Sequence, residues 1–71
     1  MKHQELIFDR MIEIEKYGIS YEVKEDTLYV REDANTFHAA MCILNISKLS
    51  KSELNKHLDG MVSELEERYG A

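Results

Sequence analysis

The stretch Ile19-Ser20-Tyr21-Glu22-Val23-Lys24-Glu25-Asp26-Thr27-Leu28-Tyr29-Val30-Arg31-Glu32 decides the fold. Its apolar residues alternate with polar ones: Ile19, Tyr21 and Val23 on the first run, Leu28 and Val30 on the second. Period two is the signature of a strand with one buried face. A turn centred on Glu25-Asp26 sets Val23 opposite Leu28 and Tyr21 opposite Val30, so all five apolar side chains share one face. The same register sets Glu22 opposite Tyr29 on the other face, with Arg31 diagonal to Glu22 and within its reach. Both runs agree on this register, and the stretch reads as a β-hairpin. Glu-Asp is not the Asn-Gly type of tight turn, so a four-residue loop in the same register also fits.

A two-stranded hairpin is marginal in water and needs a layer on its apolar face. The flanking sequence supplies helices. In residues 3–17, Leu6, Ile7, Phe8, Met11, Ile12, Ile14 and Tyr17 recur at helical spacing. They cover a wider arc than one core-facing stripe requires, with Glu5, Asp9, Glu13 and Lys16 on the remaining side. Such an arc is either covered from two sides within the monomer or turns one flank to a partner. Gly18 stands where a left-handed residue ends a helix. Residues 51–69 form a second amphipathic helix. Ser50 and Glu53 have capping-box spacing, and Leu49 and Leu54 have hydrophobic-staple spacing. Leu54, Leu58, Met61, Val62, Leu65 and Tyr69 make one apolar stripe, and Glu64 and Arg68 form an i,i+4 pair. Gly60 is the discord, falling mid-helix on the polar side, where glycine costs about 1 kcal/mol against alanine.

Residues 34–47 fit a buried helix or a buried strand. Ala39, Ala40 and Met41 favour helix, as does length, with Asp33 or Asn35 as cap; Cys42–Ile46 leans towards strand. We read this segment as helix, with Phe37, Ala40, Ile43 and Leu44 on one side and His38, Cys42, Asn45 and Lys48 on the other. Residues 34–49 carry a single charge, Lys48, against −1, −3 and −2 for residues 1–18, 19–33 and 50–71, so this block is expected to be the buried one that the others wrap. The expected fold class is α+β: one domain over residues 1–71, helix–β-hairpin–helix–helix, with the helices on one face of a two-stranded antiparallel sheet.

Composition narrows the function. The chain has 71 residues, 9 Lys and Arg, 14 Asp and Glu, and a net charge of −5. That balance argues against direct nucleic-acid binding, which relies on clustered basic residues. The one cysteine forms no internal disulfide and gives no sign of an oxidising compartment. The longest apolar run, Ala39–Leu44, is far below the roughly 20 residues that span a bilayer. Met1-Lys2-His3-Gln4-Glu5 leads into no signal-type apolar segment. The expectation is a soluble, cytoplasmic globular domain with no membrane partner.

Candidate chemistry is thin. His38, Cys42 and Asn45 are the residue types of a thiol protease, which needs an activated thiolate, a base and an orienting group. On the expected helix Cys42 sits mid-element, without a helix N-terminus to favour a thiolate and without an oxyanion loop. His38 and Cys42 at i,i+4 could share one metal ion, with further ligands drawn from His3, His57 or acids. No Cys-x-x-Cys or His-Glu-x-x-His spacing is present. No glycine-rich phosphate loop exists. The carboxylate pairs Glu13/Glu15 and Glu66/Glu67 read as solvated surface. No catalytic residue, metal or cofactor is expected, and the chain is not expected to be an enzyme.

Two functional readings follow. The first is a homodimeric protein–protein interaction or regulatory module, with an interface including Phe8, Ile12, Tyr29 and Met41. It rests on the broad apolar arc of the first helix, the nearly uncharged segment 34–47 and the open edges of the hairpin. The second is an acidic effector of the phage or mobile-element type. Its patch of Glu22, Glu25, Asp26, Glu32 and Asp33 would occupy a basic, nucleic-acid-binding surface of another protein. Salt separates them, since charge-driven capture weakens steeply as salt rises and an apolar self-interface does not.

Overall fold

The computed structural model describes residues 3–32 and 41–70. Helix α1 (Gln4–Glu15) leads into strands β1 (Ser20–Lys24) and β2 (Thr27–Arg31). Strand β3 (Met41–Ile43), a 3₁₀ turn (Ile46–Lys48) and helix α2 (Lys51–Tyr69) follow. The three strands form one antiparallel sheet in the order β1-β2-β3. The fold is therefore a small α+β domain, with two α-helices and three strands among the described residues.

The hairpin has the register that alternation dictates: Tyr21 opposite Val30, Glu22 opposite Tyr29, Val23 opposite Leu28. Arg31 reaches Glu22 with a 2.9 Å ion pair. The loop is the tight one. Lys24 pairs with Thr27, leaving Glu25 and Asp26 as the only turn residues, at φ 52° and 60°. Two consecutive positive φ values define a type I′ turn, whose twist matches the strands. Neither residue is glycine, so tertiary contacts must hold the geometry. The Asp26 carboxylate accepts from the Ser47 backbone N–H (3.1 Å) and hydroxyl (2.6 Å), and the Asp26 carbonyl accepts from Ile46 N–H (3.0 Å).

The helix expected over residues 34–47 is a correction. Residues 34–40 lie outside the described residues, as do the caps Asp33 and Asn35. Met41–Ile43 is a strand, and Ile46–Lys48 is a single 3₁₀ turn. The sheet is therefore three-stranded, β2 is its centre, and the helix–hairpin–helix–helix order does not hold. The physical reason is the second edge of β2. Leu28 and Val30 carry backbone groups that need partners once buried, and β3 provides them with Ile43 opposite Leu28 and Met41 opposite Val30. A strand also splits Ile43 from Leu44, sending the first into the core and leaving the second 63% exposed. Nor is the described part of this segment, from Met41 onward, the centre that the rest wraps. Cys42, Leu44, Asn45, Ser47 and Lys48 are all exposed.

The core lies between the sheet and the helices. Ile7, Met11 and Ile14 from α1 meet Leu54, Leu58, Met61, Val62 and Leu65 from α2 over Leu28, Val30 and Ile43. Three contacts hold the helices parallel. His3 Nε2 donates to Leu49 O (2.9 Å), Arg10 pairs with Asp59 (2.6 Å), and the Tyr17 and Tyr69 rings stack at 6.0 Å. The capping box of α2 is complete: Glu53 N–H donates to Ser50 Oγ (3.1 Å) and Ser50 N–H to Glu53 Oε1 (2.9 Å). Leu49 packs against the core that also takes in fully buried Leu54. Gly18 closes α1 at φ 80°. No described helix is long and apolar enough to cross a membrane.

Candidate interaction surface

Helix α1 has more apolar side chains than the core can take. Ile7, Met11 and Ile14, at i, i+4 and i+7, fill the buried stripe. Leu6 and Tyr17 pack at its margins. Phe8 and Ile12 stand one turn apart on the flank that neither the sheet nor α2 covers, 54% and 49% exposed. Tyr21 continues this flank. Alternation gives it the same sheet face as Val30, but β1 is an edge strand, and the ring is 40% exposed. Phe8 and Tyr21 line one open groove together with Gln4, Glu5 and Asp9. The other exposed large apolar residues among those described, Leu44 and Tyr69, are separate: Leu44 follows β3 at the far edge, and Tyr69 stacks on Tyr17.

Among the described residues, nothing pairs with the outer edge of the main chain beside this flank. Lys24 and Thr27 flank a two-residue turn, so they form a hydrogen-bonded pair, and alternation extends this to Glu22–Tyr29 and Ser20–Arg31. The N–H and C=O groups of Tyr21 and Val23 then point out of the sheet. Exposed edges of this kind template pairing with another chain. The opposite edge, β3, is only three residues long.

The four residues expected at an interface are not all neighbours. Phe8 and Ile12 stand one turn apart on α1, and Phe8 shares a groove with Tyr21. Tyr29 is on the opposite face of the sheet, in the central strand between Glu22 and Cys42. Met41 is half-buried against the core. Tyr21 escaped sequence reasoning because alternation assigns it to the core face. Only the strand order shows that this position overhangs the edge.

The acidic residues around the hairpin are largely engaged. Glu22 is paired with Arg31, Asp26 with Ser47, and Glu32 with Arg68, which also binds Glu64 at 3.2 Å. Glu32 lies within hydrogen-bond reach of the Tyr69 hydroxyl and raises that pKa above its ordinary value of 10.0. Glu25 is exposed in the turn, and Asp33 lies outside the described residues. Cys42 is exposed on β3 with its side chain opposite Tyr29; its expected companion His38 lies outside the described residues. Among the described residues, no group of three or more His, Cys, Asp or Glu is placed to hold a metal ion. No protein-family model, curated protein or solved structure matches this chain.

Proposed function

We propose that this protein is a homodimeric interaction or regulatory module that acts by binding rather than by catalysis. The observation that carries the reading is the exposed apolar pair Phe8 and Tyr21 in one groove beside the open edge of β1, with Ile12 exposed one turn from Phe8 on α1. A chain of this length buries only about 60% of its unfolded surface on its own, and association is a common way for small domains to gain more. The acidic-effector reading rests on net charge and the hairpin's acidic patch, of which Glu22, Asp26 and Glu32 already have partners within the domain.

Phe8→Glu tests the proposal. Phe8 is more than half exposed, so the variant should keep its helical circular dichroism and fall to monomer mass in light scattering. An unchanged dimer mass overturns this placement of the interface. Capture of a basic protein partner that weakens steeply with salt, by a chain that is itself monomeric, favours the effector reading instead.

A further inference from the structure

We infer that two copies pair β1 against β1, antiparallel about a two-fold axis at Tyr21, joining the two three-stranded sheets into one. This rests on the dimer reading above and specifies its geometry.

The groups that point outward on β1 belong to Tyr21 and Val23, so a symmetric antiparallel pairing has three short registers. Val23 opposite Tyr21 of the second copy sets Glu22 against Glu22, a like-charge pair directly across the ladder, which is destabilising. Val23 opposite Val23 sets Glu22 against Lys24 twice. That register moves the axis towards the turn, away from the groove where Phe8 meets Tyr21. It gains two exposed ion pairs, which contribute little, and leaves the apolar flank uncovered. Tyr21 opposite Tyr21 sets Glu22 against Ser20 and opposes no like charges on the strands. It also brings the Phe8 and Tyr21 side chains of both copies to the axis, where each covers the other. Burial of aromatic surface outweighs exposed ion pairs, so the third register is selected.

The pairing also has a cost. Glu5 and Asp9 flank Phe8 in the groove and approach their counterparts, and each copy carries a net charge of −5. Salt screens this repulsion, so the dimer should tighten as salt rises, opposite to capture of a basic partner.

Cross-linking reads the register. Ser20 and Glu22 of the second copy form a non-hydrogen-bonded pair, with Cα atoms about 4.5 Å apart, within disulfide range. With Cys42→Ser removing the native thiol, Ser20→Cys and Glu22→Cys proteins are mixed and oxidised. The mixed disulfide should dominate by mass spectrometry. A Glu22→Cys homodisulfide, or no cross-link from a protein that light scattering shows to be dimeric, overturns the register while leaving the dimer reading intact. A monomeric wild-type chain overturns both. Val23→Pro removes an outward N–H that the β1–β2 ladder does not use, and should raise the dimer dissociation constant about tenfold or more. If that variant fails to fold, Tyr21→Glu, at an exposed position, adds two anions beside the Glu5 and Asp9 carboxylates at the axis and should give the same loss. Either variant folding as a full-strength dimer overturns the edge pairing.

Discussion

Glu25 and Asp26 are adjacent, both left-handed and both in the hairpin turn, yet glycine should act on them in opposite directions. A non-glycine residue in this region costs about 1–2 kcal/mol. Glycine relieves that strain but adds about 0.4–1 kcal/mol of unfolded-chain entropy. At Glu25 the side chain is exposed, so Glu25→Gly should stabilise the fold by about 0.5–1 kcal/mol. At Asp26 the strain relief is smaller, because a short acidic side chain tolerates this conformation better. The substitution also removes the carboxylate that binds the Ser47 N–H at 3.1 Å and hydroxyl at 2.6 Å. Hydrogen bonds to a charged group contribute about 1.5–3 kcal/mol, with the lower end fitting a site near solvent. Asp26→Gly should therefore destabilise by about 1 kcal/mol. Urea unfolding at neutral pH, followed by circular dichroism, measures both. If Asp26→Gly is as stable as wild type, the turn is not held through Ser47. If Glu25→Gly is less stable than wild type, the strain argument is wrong.

Gly60→Ala should stabilise by about 1 kcal/mol, because nothing lies within 4 Å of the added methyl; a thermal melt that fails to rise contradicts this. Leu58→Ala, in the fully buried stripe of α2, should cost about 2–5 kcal/mol in urea unfolding, whereas Phe8→Glu should change mass and leave stability of the monomer largely unaltered. The hydrogen bonds from Ser50 hold the Glu53 carboxyl below its ordinary value of 4.5. Its contribution is present above that value and lost as pH falls through the folded pKa. The larger effect is that of the Ser50 backbone N–H, so Glu53→Gln, which removes the titrating group, should flatten this acid limb in a stability–pH profile, and an unchanged limb contradicts the assignment. Tyr69 has the opposite sign: its raised pKa gives a contribution present below pH 10 and lost as pH rises through the folded value, and Tyr69→Phe should remove that alkaline limb.

The parts of this fold that are legible in the sequence are those whose signals are local and redundant. The hairpin register follows from two independent alternating runs and from the Glu22–Arg31 diagonal. Helix α2 follows from its capping box, its staple and a single narrow stripe. Strand β3 is too short for a period to show, and Ile43-Leu44 looks alike on a helix or a strand until one side chain is buried and the other is not. The turn is equally opaque. Glu25-Asp26 has no tight-turn signature because its support comes from Ser47, distant in sequence. The apolar excess of α1 already marks Phe8 and Ile12 as candidates for contact. Tyr21 joins them only through the strand order, which leaves β1 at the edge.

The central claim is that this exposed flank is a self-interface. Its most direct test is the mass of the wild-type chain by light scattering across a concentration series, at low and at high salt. The account predicts a monomer–dimer equilibrium whose dimer fraction holds or grows as salt rises. A monomer at every concentration, or a dimer that dissociates as salt rises, would contradict it.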